Sequence, residues 1–291
     1  MTEQFDADWL TLREPFDHAA RSAMLARRLA DRLPKRPRLL DLGAGTGSLF
    51  RYLAPIIGRG QDWILADADA ALLEDAFGRT AAWARRHGFA ATSPGDTLLV
   101  STPTGLWRMQ AVQYDLTPSR GALRRPLPQA GEVDAVVCSA LLDLVSPAWL
   151  SRLFDALRVP FLACLTVDGR DSWAPVHAND ALVRTAFSRD QRRDKGFGAA
   201  LGTAASSVAL TQLAARGFVT ASAPSDWHIP RAALRMQRAM IDGFADAARN
   251  ARPSRAAAIT DWQAARLRQA IGARLAIRIG HRDILALPPG G

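Results

Sequence analysis

The sequence predicts an α/β protein: a doubly wound, mostly parallel sheet with helices on both faces, an antiparallel last strand and a helical cap. Three observations predict it. Strand-like and helix-like segments alternate through the first 167 residues. Several of the strand-like segments are unbroken apolar runs, as expected of strands covered on both faces. The first run ends in a glycine-rich turn that opens a helix, "LLDLGAGTGSLF" at 39–50.

Each element has a local reason. An Ala/Leu stripe predicts a helix over 16–33, ended by Pro34. A short apolar strand follows at 37–42, then a helix from Thr46 to Ile57 closed by Gly58. "DWILAD" (62–67) is a second strand, and Asp69 caps the next helix. "TLLVS" and "WRMQAVQYDL", separated by "TPTG", predict a hairpin within 96–116 whose second arm joins the main sheet. "EVDAVVCSAL" (132–141) is a buried strand, 147–157 a helix, and "FLACLTV" (161–167) another buried strand. Helices are expected over 178–193, 203–217, 231–250 and 255–273. "FVTASAP" is a strand candidate, and 275–288 reads as a last strand kinked at Gly280. This divides the chain into an N-terminal helical cap, 1–36, and a main domain, 37–291, with a helical insertion at about 230–273.

Composition narrows the class. The 291 residues are 48% hydrophobic, which suits one large domain with an appended part. The acidic start "MTEQFDADWL" has no apolar core segment, so no signal peptide is expected. The longest uncharged stretch, 196–215, is too weakly apolar to span a bilayer, and a cytoplasmic protein is expected. The two cysteines, Cys138 and Cys164, read as small core residues, and no metal site is expected. The net charge of +9 raises nucleic acid as a partner. The arginines are scattered and interleaved with aspartates, however, so nucleic-acid binding is disfavoured.

A strand that ends in glycines and opens a helix makes a ligand cradle at the carboxyl edge of the sheet. Dinucleotide sites favour G-x-G-x-x-G; here Gly43, Gly45 and Gly47 stand at alternate positions and Ser48 takes the sixth place. The nucleoside-triphosphate loop spacing is also missing. With its acidic residue and three glycines, "LLDLGAGTGSL" resembles motif I of the class I S-adenosylmethionine-dependent methyltransferases. The resemblance extends in order and spacing over 16–167, and it implies a Rossmann-like fold with S-adenosyl-L-methionine as cofactor. It implies that Asp67, with Ala68 beside it, holds the ribose hydroxyls. Asp41 faces the methionine amino group, and Gly43, Ala44, Gly45 and Gly47 form the loop beneath the cofactor. Asp115 lies near the adenine amine, with Leu116 against the ring. "VDAVVCSALLDLVS" matches the fourth-strand motif, which brings in Ser139. Asp69 is expected to cap its helix, not to touch ligand.

The acceptor side is less readable. The position that carries [DN]PP[YFW] in enzymes methylating base or amide nitrogens reads "SALLD" here, which disfavours that class. Asp143, where small-molecule enzymes often carry a His, is a catalytic candidate or a helix-start carboxylate. Asp168, His177, Asp180, Gln191, Arg192, Asp194 and Lys195 form a polar cluster after the fifth buried run. From it His177 and Lys195 are further catalytic candidates, against the alternative of a solvated charged surface. Lys195 draws notice because Lys35 is the chain's other lysine. Arg13, Asp17 and Arg21 form a third set, in which an arginine such as Arg21 pairs with the methionine carboxylate or with a local aspartate. Trp227 and His228 sit beside a turn near the acceptor pocket or a cap hinge.

The expected activity is methyl transfer to a small molecule. An RNA methyltransferase and a non-catalytic cofactor-binding protein of the same fold remain alternatives, and the sequence leaves the acceptor atom and oligomeric state open.

Overall fold

The computed structural model describes residues 7–117 and 132–290. The first six residues of the expected cap lie outside them, as does Gly291. Two helices, α1 (Ala7–Ala20) and α2 (Ala23–Ala30), precede β1 (Arg38–Leu42), α3 (Ser48–Ile57), β2 (Gln61–Asp67) and α4 (Ala70–Arg86). Then come β3 (Ala90–Thr92), β4 (Thr97–Thr102) and β5 (Gly105–Gln113). β6 (Ala135–Ser139), α5 (Pro147–Ala156) and β7 (Phe161–Ala174) complete the alternating part. The remainder holds α6 (Asp180–Gln191), α7 (Ala205–Ala214), β8 (Val219–Pro224), β9 (Trp227–Ile229), α8 (Leu234–Ala251), α9 (Ala256–Ile271) and β10 (Ala276–Leu287).

The strand order is β3-β4-β5-β2-β1-β6-β7-β10-β8, with β9 paired to β10. β5, β2, β1, β6 and β7 run parallel. β10 is antiparallel to both of its neighbours, β7 and β8. The chain winds from β1 out to β5, then returns to the other side of β1 with β6. That reversal opens a crevice at the carboxyl ends of β1 and β6, the place where open α/β sheets take ligands. The fold is therefore the Rossmann-like, doubly wound one that the sequence predicts, antiparallel last strand included.

Alternation along each strand explains the two covered faces. Leu39, Trp63, Leu65, Ala135 and Val137 pack with α2, α3 and α4. Leu40, Leu42, Ile64, Ala66, Val136 and Cys138 pack with α5 and α7. Both cysteines are buried, and burial pushes their thiols well up.

Several boundaries differ from expectation. The expected helix 16–33 is two helices. Ser22 breaks it by capping α2, its hydroxyl accepting from Leu25 N, while its own N–H donates to Asp283 Oδ2 at 2.7 Å. α1 also begins upstream and runs through Pro15. β3 was not foreseen; it extends the expected hairpin by pairing with β4. β7 runs to Ala174, well past Val167, so "DGRDSWA" is strand and not an edge loop. β9 was also unforeseen, with Trp227 and Ile229 facing inward. The kink expected at Gly280 is a register shift between Ile279 and His281, where a Cβ would meet the Arg170 Cβ at 2.7 Å. Among the described residues no helix is long and apolar enough to cross a membrane. No cluster of three or more His, Cys, Asp or Glu side chains suited to a metal occurs among them either.

Candidate functional site

The glycine turn leaves β1 with Gly43, Gly45 and Gly47 all at positive φ, 65°, 51° and 77°. L side chains are disfavoured there, so alternate glycines let the turn fold back on itself. Gly43 N and Ala44 N both donate to Ala66 O at the end of β2, which pins the turn to the neighbouring strand beside the switch point. Gly47 has a different task from the one expected. A Cβ there would meet Ala76 Cβ and Arg51 Nη1 at 3.3 Å, so it lets α3 pack against α4 and does not face the cavity.

Above the turn is a cavity of about 810 Å³. Its floor includes Asp41, Gly43, Ala44, Gly45, Asp67 and Ala68, and its sides include Asp115, Leu116 and Ser139. Arg21 and Lys195 also reach it. Of the residues expected at the cofactor, Gly47 alone is absent from the lining. Ala140, at the end of β6 and also on the wall, holds φ 53°. That strained backbone is the kind that collects at working sites.

The carboxylates here differ in their partners. Asp41 is 1% exposed and neither of its oxygens has a hydrogen-bond partner. Burial pushes its pKa up to about 8; the Arg21 charge pulls against that and Asp67 adds to it. Asp67 is tied in: Oδ2 accepts from Gly45 N at 2.8 Å and Oδ1 from Asp69 N at 3.0 Å. Burial still raises its pKa. Asp69 caps α4, accepting from Ala71 N and Leu72 N. Asp115 Oδ1 accepts from Thr117 N and Oγ1, in the manner of an Asx turn.

The roof is α1. Leu10, Arg13 and Asp17 share one helical face and reach the cavity, with Arg21 just beyond the helix end. Arg21 donates through Nη2 to Ser139 Oγ at 3.0 Å and through Nη1 to Ser48 Oγ at 3.3 Å, which bridges β6 to the start of α3. Neighbouring turns of α1 are locked from outside. Glu14 takes Arg51 Nε and Nη2 at 2.7 Å each, while Arg51 Nη1 donates to Thr46 O at 2.6 Å. Burial pushes the Glu14 pKa up, but the Arg51 hydrogen bonds and charge more than reverse this and leave it lowered. One buried guanidinium thus joins the roof to the glycine turn. The sequence reading missed this pair, and 14–51 has no local spacing by which to find it.

Two expected catalytic residues lie elsewhere. Asp143 is buried behind the lining, its carbonyl accepting from Gly202 N, and it does not reach the cavity. His177 belongs to the α6–α9 junction: its N–H donates to Asp180 Oδ2, and Nδ1 accepts from Asn179 N. Asp180 in turn binds Trp262 Nε1 and pairs with Arg266, which is wholly buried. The extension of β7 explains this, because it carries the chain past the cavity before α6 begins. Asp194 closes a loop by accepting from Gly196 N and Gly198 N, and that loop sets Lys195 and Phe197 on the cavity wall. Trp227 stays behind the lining, where Nε1 donates to Asp17 Oδ1 at 2.9 Å.

No family profile matches the chain. No curated protein matches it either. Solved structures do. An S-adenosyl-L-homocysteine complex of a SAM-dependent methyltransferase from Geobacter sulfurreducens aligns at 14% identity and TM-score 0.44, covering 92% of this chain and 91% of that one. Another such complex, from Thiobacillus denitrificans, aligns at 15% and 0.44, covering 98% and 100%. The cyclopropane synthase MmaA2 of Mycobacterium tuberculosis aligns at 12% and 0.39, covering 90% and 82%.

Proposed function

We propose that this chain binds S-adenosylmethionine in the cavity and transfers its methyl group to a small-molecule acceptor. One observation carries the reading: the Asp41 carboxylate, buried at the floor with no partner on either oxygen. A buried carboxylate left unpaired is costly, and a ligand ammonium is the group that relieves it. Two residues on, the chain enters the glycine turn, of which Gly43, Ala44 and Gly45 line the cavity.

The surrounding donors and acceptors fit the rest of that cofactor. Arg21, with Ser48 at the N-terminus of α3, suits a carboxylate next to the ammonium. Asp67 has lone pairs beyond those taken by Gly45 N and Asp69 N, enough to accept from two ribose hydroxyls. Ala68, Leu72 and Leu116 offer apolar contact to a flat base, with Asp115 at its edge. When bound, the sulfonium supplies an already activated methyl group. What remains for the protein is to hold the acceptor in line and keep water out. Leu10, Leu141, Leu144 and Phe197 line the space and exclude water. Arg21 and Ser139 fix the end of β6, where Ala140 bends away.

Calorimetric titration tests the reading. S-adenosylhomocysteine is expected to bind in the micromolar range, and nicotinamide dinucleotides not to bind. Tight dinucleotide binding without homocysteine-nucleoside binding would overturn the assignment.

A further inference from the structure

Two arginines on the cavity lining come from α1 and from just beyond its end, and the proposed cofactor uses one of them. Arg21 lies beside Asp41, where the amino-acid end would sit. Arg13 lies about two turns further back along α1, since a turn takes about 3.6 residues. It is 9% exposed and held from several sides. Its Nε donates to Asp17 Oδ2 at 3.0 Å and its Nη2 to Asp17 Oδ1 at 3.2 Å. Its guanidinium carbon lies 4.9 Å from the Trp227 ring centre and 6.0 Å from that of Trp9. Trp227 Nε1 fixes Asp17 in turn. Among the described residues nothing accepts from Arg13 Nη1.

A guanidinium clamped by a carboxylate and two indoles, with one nitrogen left unused, is a preorganised donor. Forming a hydrogen bond to a ligand would cost it little side-chain entropy. The lining is not net positive: Asp17, Asp41, Asp67, Asp69 and Asp115 stand against Arg13, Arg21 and Lys195, so an anion would be drawn by the fixed Arg13 donor itself and not by the surrounding charge. Leu141, Leu144 and Phe197 supply the apolar body of the pocket.

We propose that the methyl acceptor carries an oxyanion, a carboxylate or a phosphate monoester, on an apolar frame, and that Arg13 is the residue that takes this group. The inference rests on the proposed cofactor reading, and its test separates the two. Protein saturated with S-adenosylhomocysteine is titrated with benzoate, phenyl phosphate and the neutral isostere benzamide. Saturation blocks Arg21, so any preference reports the remaining space. Failure of the homocysteine nucleoside to bind would defeat the cofactor reading. If it binds, the anions are expected to bind about tenfold to a hundredfold more tightly than benzamide, as charge-assisted hydrogen bonds imply. Arg13→Gln should erase that preference, and Arg13→Lys should keep part of it. Equal binding of benzoate, phenyl phosphate and benzamide by the wild type, absence of anion binding up to millimolar concentration, or an undiminished preference in Arg13→Gln would each overturn it. The wild-type comparison stands whether or not the variants fold.

Discussion

The floor and the roof of the cavity are built on different principles. The floor is main chain and small residues: a turn of left-handed glycines pinned to Ala66 O through Gly43 N and Ala44 N, with two carboxylates at the strand ends. The roof is long charged side chains locked in pairs, Glu14 with Arg51 and Arg13 with Asp17. The floor leaves an acid without a partner, which suits the proposed binding, while the roof is largely paired with itself.

The sharpest test of that contrast is Arg51→Ala. It strips a buried cation from Glu14 and from the Thr46 carbonyl together. Breaking a buried pair costs about 3–5 kcal/mol. Chemical denaturation should show a loss of that size, and homocysteine-nucleoside dissociation should speed up as α1 loosens. A neutral effect on both would mean that roof and floor are not coupled through this residue.

Asp41→Asn comes next and acts on the floor. It should weaken homocysteine-nucleoside binding by about 2–5 kcal/mol, the cost of leaving a buried ammonium without its counter-charge. In the empty protein the sign reverses. The folded pKa of Asp41, about 8, lies above its ordinary value of 3.8, so the folded state holds the proton more tightly. Its favourable contribution is full below about pH 4 and is lost as pH rises through 8. Asp41→Asn should flatten that decline in a series of melting temperatures, and an unchanged pH profile would contradict the orphaned-acid account.

Asp67→Ala removes the proposed ribose acceptors and a tie to Gly45. A loss of about 1.5–3 kcal/mol in binding is expected, the range for hydrogen bonds to a charged group. Unchanged affinity would refute its role. Asp143→Asn should have the smallest effect. Asp143 lies behind the lining, so homocysteine-nucleoside affinity should stay within about twofold, less than 0.5 kcal/mol. A large loss would bring Asp143 back to the ligand.

The same contrast explains what could be read in advance. The turn was legible because positive φ selects glycine position by position, so local conformation left a local signature. Asp41, Asp67 and Asp115 were named by the resemblance, and they fall on the cavity lining because each sits at or just beyond the carboxyl end of a strand beside that turn. The roof was legible only in part: helical spacing picked out Arg13, Asp17 and Arg21, but Glu14–Arg51 and Asp17–Trp227 join residues far apart in the chain and leave no local pattern. His177 misled for a related reason. A polar cluster after a strand was assigned to the sheet edge, but β7 runs on to Ala174 and carries His177 to the α6–α9 junction. Where a buried strand stops depends on the partner that covers it, here β10, and not on the strand's own residues.

The most direct test is proton linkage on binding. Burial raises the Asp41 pKa to about 8, so a ligand ammonium that favours its carboxylate form would release a proton on binding near pH 7. Titration of S-adenosylhomocysteine in buffers of contrasting ionisation enthalpy should report release of about one proton per site, and none in Asp41→Asn. No binding, or wild-type binding with no proton released, would contradict the account.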